Sequence, residues 1–353
     1  MSTFRSIFGS AAAIALLSAC SGAGSQAAPL ARIPSNVARS AGVASGAINW
    51  SYSVLPKAYQ NTEGLRPADH PVESLPPPSP PLPQKLAYVS DFPANIVNVY
   101  NQITGAHLYT LGGLNNPQGL FVDHLRKLWV ANTGANNILV FPRGATSPIY
   151  LLNDPYGPPV DVTVCAGGTV YVSNLYDFQT GIGDISVYAP GNLNPTGTLT
   201  YPGESSNAFL TCTPSGDVYS TMTDTGNVGR VVKYPGGNQA GATQLPIALS
   251  SSPGGIKPDN AGNLVVNDQL AHTVREYTTA GTPTGNSFGT GSGDWVDIAI
   301  TQNGQVVLGA DAVQQVGRRR SLWTGLLVSP PYTSTLFIRP AGTAFDRGQN
   351  GLG

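Results

Sequence analysis

The 353-residue sequence predicts an all-β fold, a six-bladed β-propeller closed by its C-terminal strand. Three observations carry that expectation. A short β-branched and aromatic unit recurs six times, starting at residues 87, 128, 170, 218, 264 and 306, a period of 41 to 48 residues. That period belongs to four-stranded propeller blades. No long segment after the leader has a helical period. Finally, the two ends of the repeat array are each missing what the other has.

The clearest copy of the unit is a second strand, Leu128-Trp129-Val130-Ala131-Asn132. Its counterparts are Ala87–Asp91, Val170–Asn174, Val218–Met222, Leu264–Asp268 and Val306–Ala310. An inner strand precedes it, as in Pro117–Asp123, Pro159–Val164, Pro253–Asp259 and Trp295–Ile300. A third strand follows, as in Asn137–Phe141, Asp184–Tyr188, Arg230–Tyr234 and Thr273–Tyr277, and then a weaker fourth. These runs are short and punctuated by Gly, Pro and Asn, which is how turns between strands read. The first copy lacks an inner strand. The last strand, Pro340–Asp346, repeats the proline, glycine and aspartate of Pro117–Asp123 and has no second strand after it. The orphan fits the vacancy, so one blade takes its inner strand from about 340–346 and its other three strands from about 86–112. Closure removes open sheet edges.

The pattern Pro-x-Gly-hydrophobic-x-Val-Asp, a turn, Leu-(Tyr/Trp)-Val-Ala-Asn and a Val-Phe strand resembles the NHL-repeat and gluconolactonase-like six-bladed propellers. The resemblance covers residues 86–348. It implies the fold; activity is left open, because propellers host hydrolases, lyases and plain binding modules.

Composition agrees with a folded chain. Hydrophobic residues make up 41% and charged residues 10%, with net charge −1. Such a chain can bury a core, and its near-neutral balance argues against a nucleic-acid partner. Arg318-Arg319-Arg320, the one basic cluster, reads as a solvated loop between outer strands. Residues 1–20 read as a lipoprotein-type signal peptide: Arg5 flanks a short apolar run, Ala11–Leu17, that is too short to span a bilayer. The run ends in Leu17-Ser18-Ala19-Cys20, which resembles the lipobox of bacterial lipoproteins, whose cysteine is diacylated. An ordinary cleaved signal with Cys20 incidental is the alternative. The lipoprotein reading implies an exported chain anchored in the cell envelope, at an outer membrane or the cell surface. Residues 21–85 read as a disordered tether, ending in a Pro-rich spacer, Leu75–Pro83. Residues 86–348 form the propeller.

Inner-strand starts and the turns after the second strands converge on one rim, the expected ligand face. Aligning inner strands gives Gly119, Asp161, Phe209, Gly255, Asp297 and Gly342. Asp161 and Asp297 fall on opposite blades. With Asn207 they are candidate ligands of a divalent cation such as Ca²⁺, a hard ion that takes oxygens. The structural alternative is two aspartates bonded to neighbouring amides. The turns after the second strands give Asp91, Asn132, Asn174, Met222, Asp268 and Ala310, with Asp224 and Asp311 nearby. Asp91, Asn132, Asn174 and Asp268, with His272 beside Asp268, are the ligand-face candidates. Asn and Asp also cap turns locally, which is the structural reading of that ring. Gluconolactonase-like enzymes hold a metal through a glutamate, an asparagine and an aspartate. Here no glutamate falls at an inner-strand start, and Glu204 reads as part of a connecting loop. Cys165 and Cys212 end inner strands of consecutive blades; an oxidising compartment allows them a disulfide, and two small buried apolar residues are the alternative.

Two functions follow as expectations. One is a monomeric, envelope-anchored binding or scaffold module, with a protein or small-molecule ligand on the channel face and the membrane reached through its lipid anchor. The other, implied by the resemblance, is a metal-dependent lactonase-type hydrolase or lyase.

Overall fold

The computed structural model describes residues 82–346. The signal segment, Cys20 and the tether as far as residue 81 lie outside the described residues. The chain forms six antiparallel blades around a central channel. Blade 1 combines β23 (Pro340–Phe345) with β1 (Leu86–Asp91), β2 (Ile96–Asn101) and β3 (His107–Leu111). Blade 2 is β4 (Pro117–Val122), β5 (Leu128–Asn132), β6 (Asn137–Phe141) and β7 (Tyr150–Asn153). Blade 3 is β8 (Pro159–Val164), β9 (Val170–Asn174), β10 (Asp184–Tyr188) and β11 (Gly197–Leu199). Blade 4 is β12 (Glu204–Cys212), β13 (Val218–Asp224), β14 (Gly229–Tyr234) and β15 (Thr243–Leu249). Blade 5 is β16 (Pro253–Pro258), β17 (Leu264–Asp268), β18 (Thr273–Tyr277) and β19 (Pro283–Gly289). Blade 6 is β20 (Trp295–Ile300), β21 (Val306–Asp311) and β22 (Val316–Ser321).

Ring closure places Ala87 opposite Phe345 and Val89 opposite Thr343. A charge clamp reinforces it. The buried carboxylate of Asp346 pairs with Arg126 at 2.5 Å and Arg143 at 2.7 Å, tying the end of β23 to blade 2. The same arginines bond the carbonyls of Gln84 and Pro83, and Leu82 packs on the core between blades 1 and 2. Residues 82–85, read from composition as tether, are therefore part of the packed structure.

Blade 6 departs from the expected pattern. It has three strands, and residues 327–332 stand in for the fourth, held by isolated bridges from Arg320 to Leu327 and from Gly317 to Tyr332. Arg318–Arg320 lie on β22 rather than in a solvated loop, and Arg319 is buried. Its guanidinium bonds backbone carbonyls of residues that replace the missing strand and of blade 1.

Apolar side chains alternate along the strands and meet between blades. The described residues form six hydrophobic clusters, one per inter-blade interface. Polar clasps add direction. Every inner strand bulges, near its third residue in five blades, for instance between Pro117 and Leu120 or Trp295 and Ile298, and between Asn207 and Leu210 in the longer β12. A bulge leaves backbone groups without ladder partners. In blades 1, 3 and 4 a second-strand hydroxyl takes up that freed amide: Ser90 accepts from Gly342, Ser173 from Asp161 and Thr221 from Phe209. Each hydroxyl then donates to a carbonyl of the next blade, at Gln118, Ala208 and Gly254. The hydroxyl at this second-strand position, Ser90, Ser173 or Thr221, is thus an inter-blade connector. A covalent link joins blades 3 and 4, where Cys165 and Cys212 form a disulfide with Cα atoms 5.5 Å apart.

Candidate functional site

Asp161 and Asp297 both lie on inner strands and are fully buried. Each spans an inter-blade seam. Asp161 Oδ2 accepts the amide of Leu210 at 3.2 Å, and Asp297 Oδ2 accepts that of Thr343 at 2.9 Å. Leu210 and Thr343 are equivalent residues, one step past the bulge of the following blade. The other oxygen of each aspartate faces a glycine of the preceding blade. A β-carbon on Gly119 would lie 2.2 Å from Asp161 Oδ1, and one on Gly255 2.3 Å from Asp297 Oδ1. The glycine that precedes each aspartate around the channel is therefore steric in origin: the carboxylate occupies the place of its neighbour's side chain.

A third residue, unforeseen from the sequence, completes this set. Lys257 on β16 of blade 5 extends its ammonium to 3.3 Å from Asp161 Oδ2 on blade 3. Only a path across the channel joins those blades without passing through blade 4. Lys257 is buried as well. Burial works to lower the pKa of its ammonium, but Asp161 and Asp297 outweigh that and hold it above its usual value. Burial raises Asp161, with Lys257 opposing. Burial also pushes Asp297 up to about 7, Lys257 opposing and Asp161 adding to the rise. One cation between two carboxylates leaves one negative charge in excess, and an extra proton on the pair relieves it. Oδ1 of both aspartates lacks a hydrogen-bond partner, so each offers a place for that proton.

Asn207 does not join them. Its amide donates to Glu204 Oε1 at 2.6 Å, and its Oδ1 accepts from Ala208 and Ser220. Glu204 begins β12, which runs to nine residues, so a glutamate does stand at an inner-strand start, contrary to the reading of it as loop. It belongs to an acidic group on the ligand-side rim between blades 2, 3 and 4. Asn174 Nδ2 lies 3.0 Å from Asp184 Oδ1 and 3.4 Å from Asp154 Oδ1, and Ser186 donates to Asp154 at 2.9 Å. Burial pushes Asp154 up to about 6, and Asp184 and Glu204 up to about 7 and about 8. Asp184 adds to the rise at Glu204, and Asp154 to that at Asp184. Perturbed acids of this kind mark candidate functional sites, but all three are at most 3% exposed.

The remaining rim candidates are engaged in turns. Asp91 accepts three backbone amides, from Ala94, Ile338 and Arg339. Asn132 accepts from Asn115 and donates to Asn137. Asp268 accepts from Ser250 and Ala271. In blades 4 and 6 the strand-end position falls on Asp224 and Asp311 rather than Met222 and Ala310. The reason differs: β13 is extended to pair with Glu204, while Ile300 pairs with Val307, shifting blade 6 by one. His272 is exposed on the same rim, with Nδ1 3.0 Å from the Gly293 carbonyl, and contacts Asp268 through none of these bonds.

These residues do not fit the divalent-cation site expected of Asp161, Asn207 and Asp297. The Lys257 ammonium lies where a cation would meet Asp161, and Asn207 is committed to Glu204. No group of three His, Cys, Asp or Glu side chains is placed to hold a metal among the described residues.

No family model matches this sequence, and no curated protein matches it. Similar solved structures are propellers. A chain of a nidogen/laminin complex superposes with a TM-score of 0.59 at 12% identity, covering 74% of this chain and 98% of that one. A catalytically inactive histidine-to-alanine variant of virginiamycin B lyase from Staphylococcus aureus, solved with quinupristin, gives 0.53 at 14%, covering 75% and 88%. Regucalcin from Agrobacterium tumefaciens, a calcium-binding protein, gives 0.50 at 14%, covering 65% and 77%. At these identities the likeness establishes the fold.

Proposed function

We propose that this chain is an exported, lipid-anchored propeller that binds a protein or small-molecule ligand on its ligand-side rim and carries out no chemistry itself. The observation that carries this reading is Lys257. Its buried ammonium sits 3.3 Å from Asp161 Oδ2, in the place a cation would take beside that carboxylate. The rim aspartates and asparagines are spent on turn amides and on one another, which leaves the rim as a platform. Diacylation at Cys20 would hold that platform at a membrane, since two acyl chains anchor stably where one does not. A propeller of the same fold comes from a nidogen/laminin complex, which supports a binding role.

Two experiments test the reading. Metabolic labelling with an alkyne fatty acid should mark the parent and not Cys20→Ser; equal labelling removes the anchor. Lactone hydrolysis should stay at the buffer rate with calcium, magnesium or zinc added. Metal-dependent turnover lost in Asp161→Ala or Asp297→Ala overturns the non-catalytic assignment.

A second reading, a hydrolase or lyase, draws on Glu204. Its carboxyl is raised to about 8 and is beside Asp184 on the ligand-side rim, which suits a general acid. Burial of both groups favours the first reading, because a substrate would have to displace packed side chains to reach them.

A further inference from the structure

We infer that the cleft between blades 6 and 1, on the rim opposite the proposed ligand face, is a binding site for a small organic carboxylate that also carries a hydroxyl. The inference is independent of the reading above and concerns a different surface. Its origin is the missing fourth strand of blade 6. Residues 327–332 cross the gap on two isolated bridges and leave a cavity of about 400 Å³, within the size range of small-molecule sites.

The chemistry of the wall selects the ligand. Arg319 and Lys85 line the cavity, and no acidic residue does. Arg319 is 5% exposed. It donates to the carbonyls of Pro330 and Gln102, at 2.9 and 2.8 Å, and stacks on the Tyr332 ring at 4.7 Å. Among the described residues no carboxylate lies within ion-pair distance of it or of Lys85. A guanidinium buried against dipoles alone keeps an uncompensated charge, and buried charges are ordinarily paired. The cavity is where a counter-charge can enter. Gln102 supplies the second requirement. It is buried, and its Oε1 has no hydrogen-bond partner. An acceptor in that state calls for a donor, which a hydroxyl provides. Ile103 and Val306 give the wall an apolar part that fits a short hydrocarbon body. A phosphate fits less well, because most of the guanidinium's donors are already taken by carbonyls.

The test uses calorimetric titration of the purified full chain with mandelate, and with two controls that each lack one feature, mandelamide and phenylacetate. Mandelate should bind saturably. Mandelamide, without charge, should bind about tenfold more weakly, the scale of one charge-assisted hydrogen bond. Phenylacetate, without the hydroxyl, should bind several-fold more weakly. Arg319 also braces the fold, so the variants are Lys85→Gln and Val306→Trp. Lys85→Gln should weaken mandelate and leave mandelamide unchanged. Val306→Trp, which fills the cavity, should abolish binding while the melting temperature stays near that of the parent. Absence of saturable binding by all three probes overturns the proposal. So does equal binding of mandelate and mandelamide, tighter binding of inorganic phosphate than of mandelate, or mandelate binding unaffected by Val306→Trp.

Discussion

Replacing Lys257 with methionine removes the cation from the channel while keeping much of its apolar stem. The structure sets the cost. Ammonium and carboxylate are 3.3 Å apart and buried, and at an effective dielectric of about 20 their attraction is about 5 kcal/mol. Removing one partner of a buried pair generally costs about 3–5 kcal/mol, because the other charge stays behind. For a domain of this size that lowers the melting temperature by roughly 10 °C. The loss should depend on pH. Protonation of Asp161 and Asp297 relieves the stranded charge, and each extra proton bound by the folded state is worth about 1.4 kcal/mol per pH unit. The deficit should therefore be larger near about pH 8 than near about pH 5. Adding Asp161→Asn to Lys257→Met should recover most of it. Thermal unfolding followed by near-ultraviolet circular dichroism reads all three proteins. A Lys257→Met variant that melts with the parent at both pH values refutes the ion pair, and a double variant no better than the single refutes the stranded-charge argument.

Other outcomes follow from the same structure. Asp154, Asp184, Glu204 and Asp297 all have folded-state pKa values raised above their unfolded ones, to between about 6 and about 8. The folded state thus binds more protons over that window, so the stability these groups give is present in mild acid and lost as pH rises through about 6 to 8. A melting temperature that rises from pH 5 to pH 8 would contradict this. Asp346→Asn weakens both arginine contacts of the closure clamp and should cost about 3 kcal/mol or more; limited proteolysis should then cut before β23, whereas an uncut, unshifted variant removes the clamp. The Cys165–Cys212 bridge closes a 47-residue separation, worth about 4 kcal/mol in the chain-entropy account. Reduction should lower the melting temperature, and two free thiols by mass spectrometry of the non-reduced protein would dispose of the bridge.

The period, the blade count and the closing strand were legible because each rests on local pattern: a repeated β-branched and aromatic second strand and a complementary pair of ends. Asp161 and Asp297 were visible as the two charged residues at a position otherwise held by glycine or Phe209. Lys257 was not, since its role depends on reach across a channel and nothing in Gly254-Gly255-Ile256-Lys257 distinguishes it from a solvated lysine. Its one signal was its spacing, two residues past Gly255 and so on the same face of the strand. Glu204 was misplaced because β12 starts earlier than the other inner strands, and Asp311 because blade 6 pairs one residue later. Arg319 sits in an Arg-Arg-Arg run that composition assigns to solvent; only the lost fourth strand turns it inward.

Lys257 stands beside Asp161 where a catalytic cation would bind, and calcium titration of the purified chain by calorimetry tests that most directly. No saturable binding is predicted for the parent. A stoichiometric calcium site in the parent, lost in Asp161→Ala and in Asp297→Ala, would contradict it.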